Sequence, residues 1–289
     1  MKRQNAALAA AILAALFAVG LLACPLIGEA CRTRHHALVL ARYEAAAEEG
    51  KSGEAGKLRE SARAYNRLIC GGTQGAGFDA ASLRRAQEDY GDQLDLLGDG
   101  VMGSVEIPAI GVELPIFHGT DETSLRRGAG HLTGSSLPVG GPGTHTVITA
   151  HSGMASGRMF SDLPELREGD LFFLRVLGER LCYRVDRIRV TRPEETEALR
   201  VERDRDLCTL VTCTPLGVNT HRLLVRGERV PDPVPDGESV QAPAGQTGTR
   251  RSVWRSAYGK GVLAGLVPVS AAAALLMLRH RNGPGDTHC

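Results

Sequence analysis

The chain has 289 residues, enough for one sizeable domain with appendages. Lys and Arg total 34 against 33 Asp and Glu, a formal net charge of +1, so no overall field calls for a nucleic-acid partner or an acidic one. Seven cysteines at irregular spacing exclude the paired framework of a small disulfide-rich domain.

Taken in chain order, residues 6–27 form an uncharged run behind Lys2 and Arg3, long enough to cross a bilayer as a helix, so 1–28 reads as a transmembrane or signal-anchor segment. A cleaved signal peptide has the same look. "LLAC", ending at Cys24, resembles a lipoprotein processing site, but Pro25 and the continuing apolar run count against it. From 37 to 69 the pattern is helical and charged, broken by glycines around 50–56, which predicts two helices following the span. Residues 70–82, "CGGTQGAGFDAAS", read as a glycine-rich loop, and 29–96 together as a helical region.

From 103 the texture changes to short apolar runs punctuated by Gly, Pro, Asp and Ser, which predicts a β-barrel or sandwich. In "RLCYRVDRIRV" the alternation slips by one residue, the mark of a bulge. After Val230 a Pro- and Gly-rich polar stretch, 231–260, reads as a linker. It leads to a second uncharged run, 261–278, a short transmembrane helix with a tail at 279–289. Basic residues flank both ends of both runs, so charge leaves the orientation open.

The chemistry centres on "CTLVTCTPLGVNTHRLLVRG", 208–227. Cys208 and Cys213 on one strand would stand roughly 16 Å apart, too far for a disulfide. Cys213 ends its strand two residues before Pro215, and Arg222 opens the next, so a thiol and a guanidinium meet at neighbouring strand ends. A thiolate nucleophile with an oxyanion-stabilising cation fits this placement; a buried thiol beside a surface arginine fits it too. Of nine histidines, His151 ends the strand "TVITAHSG" and shares the strand-end position of Cys213. His118 and His131 sit beside glycines as structural hydrogen-bond formers, His145 begins a strand, and alternation directs His221 away from Arg222. Cys208, Cys213 and His221 lack the close paired spacing of a zinc site, and no P-loop or dinucleotide fingerprint is present.

"TLVTCTPLGVNTHRLLVRG" resembles the active-site segment of sortases, Gram-positive surface transpeptidases whose pattern is TLxTC with an arginine about nine residues on. The longer form, together with "GDGVMGSVEIPAIGVELPIFHGT", "GAGHLTGSSLPVGGPGTHTVITAHSGM" and "MFSDLPELREGDLFF", resembles class C, the pilin-polymerising branch, across 97–230. The resemblance implies a mainly β fold: an eight-stranded sortase barrel over 97–230, with N-terminal helices and a transmembrane helix at each end. It implies Cys213 as nucleophile, His151 as acid/base and Arg222 as the oxyanion-side arginine, with no cofactor and no metal. It further implies an extracellular catalytic domain, cytoplasmic termini, LPxTG-bearing pilin substrates and a pilin lysine amine as acceptor. Anchoring of surface proteins to the peptidoglycan cross-bridge, hydrolysis of the thioester and a non-catalytic binding module on the same fold are the alternatives. Two departures stand out. "TAHSGM" replaces the family's frequent "TGHRGL", and the Asp-Pro-aromatic lid motif of class C is missing between 68 and 100. Phe78 and Asp79, in reversed order, are the candidate lid pair there.

Overall fold

The computed structural model describes residues 2–49, 53–71, 88–153 and 158–233. Eight strands close into a barrel: β1 Val101–Ile107, β2 Val112–His118, β3 Ala129–His131, β4 Thr144–Thr149, β5 Leu171–Val176, β6 Glu179–Thr191, β7 Asp206–Thr214 and β8 His221–Arg229. Around the barrel the order is β1-β2-β3-β4-β7-β8-β6-β5, with β5 pairing back to β1. The β2–β3 and β4–β7 pairs are parallel and the others antiparallel. The slip in "RLCYRVDRIRV" is a register shift between Val185 and Arg187, opposite β8.

Side-chain parity explains the interior. Cys208 and Leu210 of β7, Val225 of β8, Tyr183 of β6 and Phe172 of β5 belong to the main buried core. The alternate residues of the same strands face outward. On that outer face Val147, Val211 and Leu224 form a second apolar cluster, covered by Ala198 and Leu199 of the 192–205 connection. That crossover buries β7 on both sides, which is why residues 207–212, Thr209 and Thr212 among them, are all buried rather than alternately exposed.

The helices differ from the sequence expectation in one respect. α1 runs unbroken from Lys2 to Glu49, so the charged segment after the apolar run continues the same helix. No glycine or proline stands between 29 and 49 to end it. α2, Glu54–Gly71, is a separate helix that begins within the predicted break at 50–56 and takes in Gly56. Among the described residues no helix is long and apolar enough to cross a membrane. Most side chains of 6–27, the lid pair Phe78 and Asp79, most of the linker at 231–260, the whole run 261–278 and the tail 279–289 lie outside the described residues.

Both helices dock on the barrel through polar clamps set in apolar contacts. Tyr43 of α1 donates its hydroxyl to the Met102 carbonyl at 2.8 Å and accepts the Leu177 N–H at 3.1 Å. Asn66 of α2 brackets Leu137, accepting its N–H at 2.7 Å and donating to its carbonyl at 3.1 Å.

Candidate active site

Three strands converge at one end of the barrel: the last residues of β4 and β7 and the first of β8. Cys213 of β7 stands directly opposite Arg222 of β8 in the antiparallel register. β4 runs parallel to β7 with Thr149 beside Val211. Carrying that pairing two residues further sets His151 alongside Cys213. Residues 211 and 213, 222 and 224, and 149 and 151 share parity with the outer apolar cluster, so the three lie on the outer face of the barrel near its end. Cys208, five positions before Cys213, has the opposite parity and is fully buried in the core. His221 is paired with Thr214, one step out of phase with Arg222.

The segments carrying these side chains are tied together. Ala150 N–H donates to the Val211 carbonyl at 3.1 Å, and Thr212 Oγ1 donates to the Ala150 carbonyl at 2.8 Å. Ser152 Oγ donates to the carbonyl of Cys213 itself at 2.7 Å. Ser152 belongs to the "TAHSGM" stretch that departs from the family's frequent pattern, and here it links the histidine segment to the cysteine strand. Gly153 follows at φ +75°, and a Cβ there would lie 2.9 Å from Leu216 Cδ1 of the β7–β8 turn. The position therefore favours glycine for its left-handed backbone, while the exposed Leu216 side chain can move aside for a Cβ.

Cys213 and His151 are partly accessible, whereas Cys70, Cys182 and Cys208 are buried. Burial pushes the Cys182 thiol up to about 11 and the Cys208 thiol well above its ordinary range, so neither supplies thiolate at neutral pH. Arg222 Nη1 donates to the carbonyls of Asn219 and His221, each at 3.1 Å, so the guanidinium also braces the β7–β8 turn. One neighbour has no counterpart in the sequence reading. The Glu122 carboxylate lies 3.5 Å from His151 Nε2, carried by a short helix, α3, Glu122–Arg127. In sequence the "DETS" stretch signals only a helix start, so nothing singles out this glutamate before folding.

Three other histidines, His118, His131 and His145, are structural. His131 Nδ1 lies 2.8 Å from the Tyr90 hydroxyl and Nε2 lies 2.9 Å from the Ser136 carbonyl. His145 bridges the Arg200 carbonyl and Thr209 Oγ1, at 2.8 and 2.7 Å. His118 contacts the carbonyls of Gly100 and Gln93. A cavity of about 840 Å³ opens at the opposite barrel end, between α2, the 139–144 loop, Asp206 and Arg229, and includes none of the three candidate residues. It follows the seam where α2 docks. The strand-end register, which places a thiol, an imidazole and a guanidinium together, is the better guide to chemistry.

The sortase domain family matches residues 105–230. The sortase C-1 structure from Actinomyces oris is 45% identical and aligns over 62% of this chain and 98% of that one, with a TM-score of 0.55. The chain belongs to the sortase family. Sortase C from Streptococcus pneumoniae, whose structure is described as bearing on catalysis and pilin substrate specificity, is 37% identical over 68% of this chain and 98% of that one, with a TM-score of 0.59. Sortase C from Clostridium perfringens, described with its C-terminal cell wall sorting motif, is 38% identical over 68% of this chain and 99% of that one, with a TM-score of 0.57. These structures support placing this sortase in class C. Sortase A from Bacillus anthracis is 29% identical over 130 residues, 45% of this chain and 60% of the relative. This sortase thus spans less than two thirds of the length of the curated relatives it matches.

Proposed function

We propose that this sortase is a membrane-anchored cysteine transpeptidase that polymerises pilins. The observation that carries the reading is the placement of Cys213 opposite Arg222, with His151 on the same outer face of the adjoining strand. The Cys213 thiolate attacks the Thr–Gly carbonyl of an LPxTG-like sorting signal. The C–N bond breaks, the His151 imidazolium gives its proton to the departing glycine amine, and a thioester to Cys213 remains. The lysine amine of the next pilin subunit then attacks the thioester. A C–N isopeptide bond forms, the C–S bond breaks, His151 takes the amine proton, and the thiolate is restored. Arg222 stabilises the oxyanion in both steps. Replacing it by lysine removes the planar fork and is expected to lower kcat about a hundredfold.

α1 and the run at 261–278 would hold the barrel at the outer membrane surface, with both termini in the cytoplasm, which brings the active site to surface-displayed substrates. The test uses the full chain in detergent with a pilin subunit bearing an LPxTG-like signal. Covalent pilin ladders that disappear when the acceptor lysine is replaced are the expected result. Transfer only to a cross-bridge peptide amine, or release of free acid alone, would replace this reading with wall anchoring or hydrolysis.

A further inference from the structure

The contact between α3 and His151 goes beyond the three residues of the proposed reaction. α3 is six residues long yet held at both ends. At its start the Asp121 carboxylate accepts the N–H groups of Thr123 and Ser124 at 2.9 and 3.2 Å, and Ser124 Oγ donates to the His118 carbonyl at 2.7 Å. At its end two side chains of α1 reach the last carbonyls: Arg32 Nη1 donates to that of Arg126 at 2.5 Å, and His36 Nε2 lies 2.8 Å from that of Arg127. Between these anchors Glu122 divides its carboxylate. Oε1 accepts from Arg126 Nε at 2.7 Å, and Oε2 stands 3.5 Å from His151 Nε2.

A carboxylate carried on a helix anchored in this way directs one ring nitrogen of the imidazole toward α3, leaving the other for proton transfer. Among the described residues the carboxylate within 4 Å of the ring is that of Glu122. Arg126 of α3 competes for it, and Cys213 of β7 and Arg222 of β8 stand opposite each other at the neighbouring strand ends. We infer that Glu122 is the positioning residue of His151: it holds the imidazole ring from the α3 side and sets it for proton transfer to the leaving amine. The inference rests on the proposed transpeptidation. It also extends the line of contacts back to α1, because Arg32 and His36 hold the helix that carries Glu122.

The test compares Glu122→Gln, Glu122→Asp and Arg126→Ala in the full chain, with a sorting-signal peptide as substrate. Glu122→Gln keeps the size and removes the charge. It is expected to lower kcat about tenfold with KM changed less than about twofold, and Glu122→Asp to recover most of the loss. Arg126→Ala frees the carboxylate from its competitor and is expected to leave kcat equal or higher. A merely structural role of the Glu122–Arg126 pair would instead lower kcat in both variants. A substrate-free arm reads the ring directly in the Cys213→Ala background. The ¹⁵N shifts of the two His151 nitrogens, which report the tautomer and which nitrogen is engaged by a partner, should change in Glu122→Gln. Unchanged kcat, an effect on KM alone, equal losses in Glu122→Gln and Arg126→Ala, or an unchanged ring signal would each overturn the assignment. If the unsubstituted chain turns over no sorting peptide, the proposed reaction fails, while the ring signal still decides whether Glu122 holds His151.

Discussion

At the scale of single residues, parity separates side chains that composition treats alike. Cys208 and Cys213 are five apart on one strand, an odd number, so one enters the core and the other reaches the outer face. The histidines divide by burial in the same way. His131 is enclosed by Tyr90, Ser135 and Ser136, and burial pulls it down to about 4. A histidine more acidic in the folded state than in the unfolded chain stabilises the fold fully above about pH 6.5, and that stability drains away as pH falls toward about 4. The full difference corresponds to about 3 kcal/mol, of which about 2 kcal/mol is lost by pH 5. Burial lowers His36 and His145 as well, so they act in the same sense, whereas the raised carboxyls of Asp206 and Glu113 act against it. The comparison is therefore made between the parent and His131→Gln, by urea unfolding at pH 7 and pH 5. The parent should lose about 2 kcal/mol more than the variant on acidification. Equal losses would show that His131 does not govern acid stability.

At the scale of elements, the sequence pattern identified what local chemistry controls. α1 ends at Glu49 and α2 begins at Glu54, near the glycines read as a break, and the slipped alternation at Asp186 is the β6 bulge. That bulge presents Asp186 to Arg226, which is 5% exposed and donates through Nε and Nη2 to the two carboxylate oxygens. The unbroken course of α1 was not legible, because a composition change from apolar to charged resembles a boundary although nothing in it breaks a helix. Helix docking was equally hidden, since Asn66 looks like any polar residue on a charged helix until Leu137 is brought against it. Replacing Asn66 by alanine strands the buried N–H of Leu137, while its carbonyl keeps the Val139 N–H and Thr146 Oγ1, and is expected to cost about 1–3 kcal/mol. A urea midpoint shift equivalent to less than about 0.5 kcal/mol would mean that the loop finds other partners.

At the scale of the whole molecule, the barrel order rests on pairings that no local pattern encodes. β2–β3 and β4–β7 are parallel neighbours, and the second of these brings His151 to Cys213 across about sixty residues of chain. Spacing alone favours a buried thiol over a nucleophile in the 208–227 segment; the resemblance to sortases reverses that preference, and the register pairs Cys213 with Arg222. Glu122 was invisible because its approach to His151 depends on how α3 crosses between β2 and β3 while α1 grips its far end. The central claim is that Cys213 carries the acyl group. Its most direct test is intact-protein mass spectrometry of the full chain mixed with an LPxTG-like peptide, followed by digestion to locate the modified cysteine. The account predicts an added mass equal to the peptide up to its threonine acyl group, on Cys213, absent from Cys213→Ala and released by an amine acceptor. No adduct with any sorting-signal peptide, or an adduct that persists in Cys213→Ala, would contradict it.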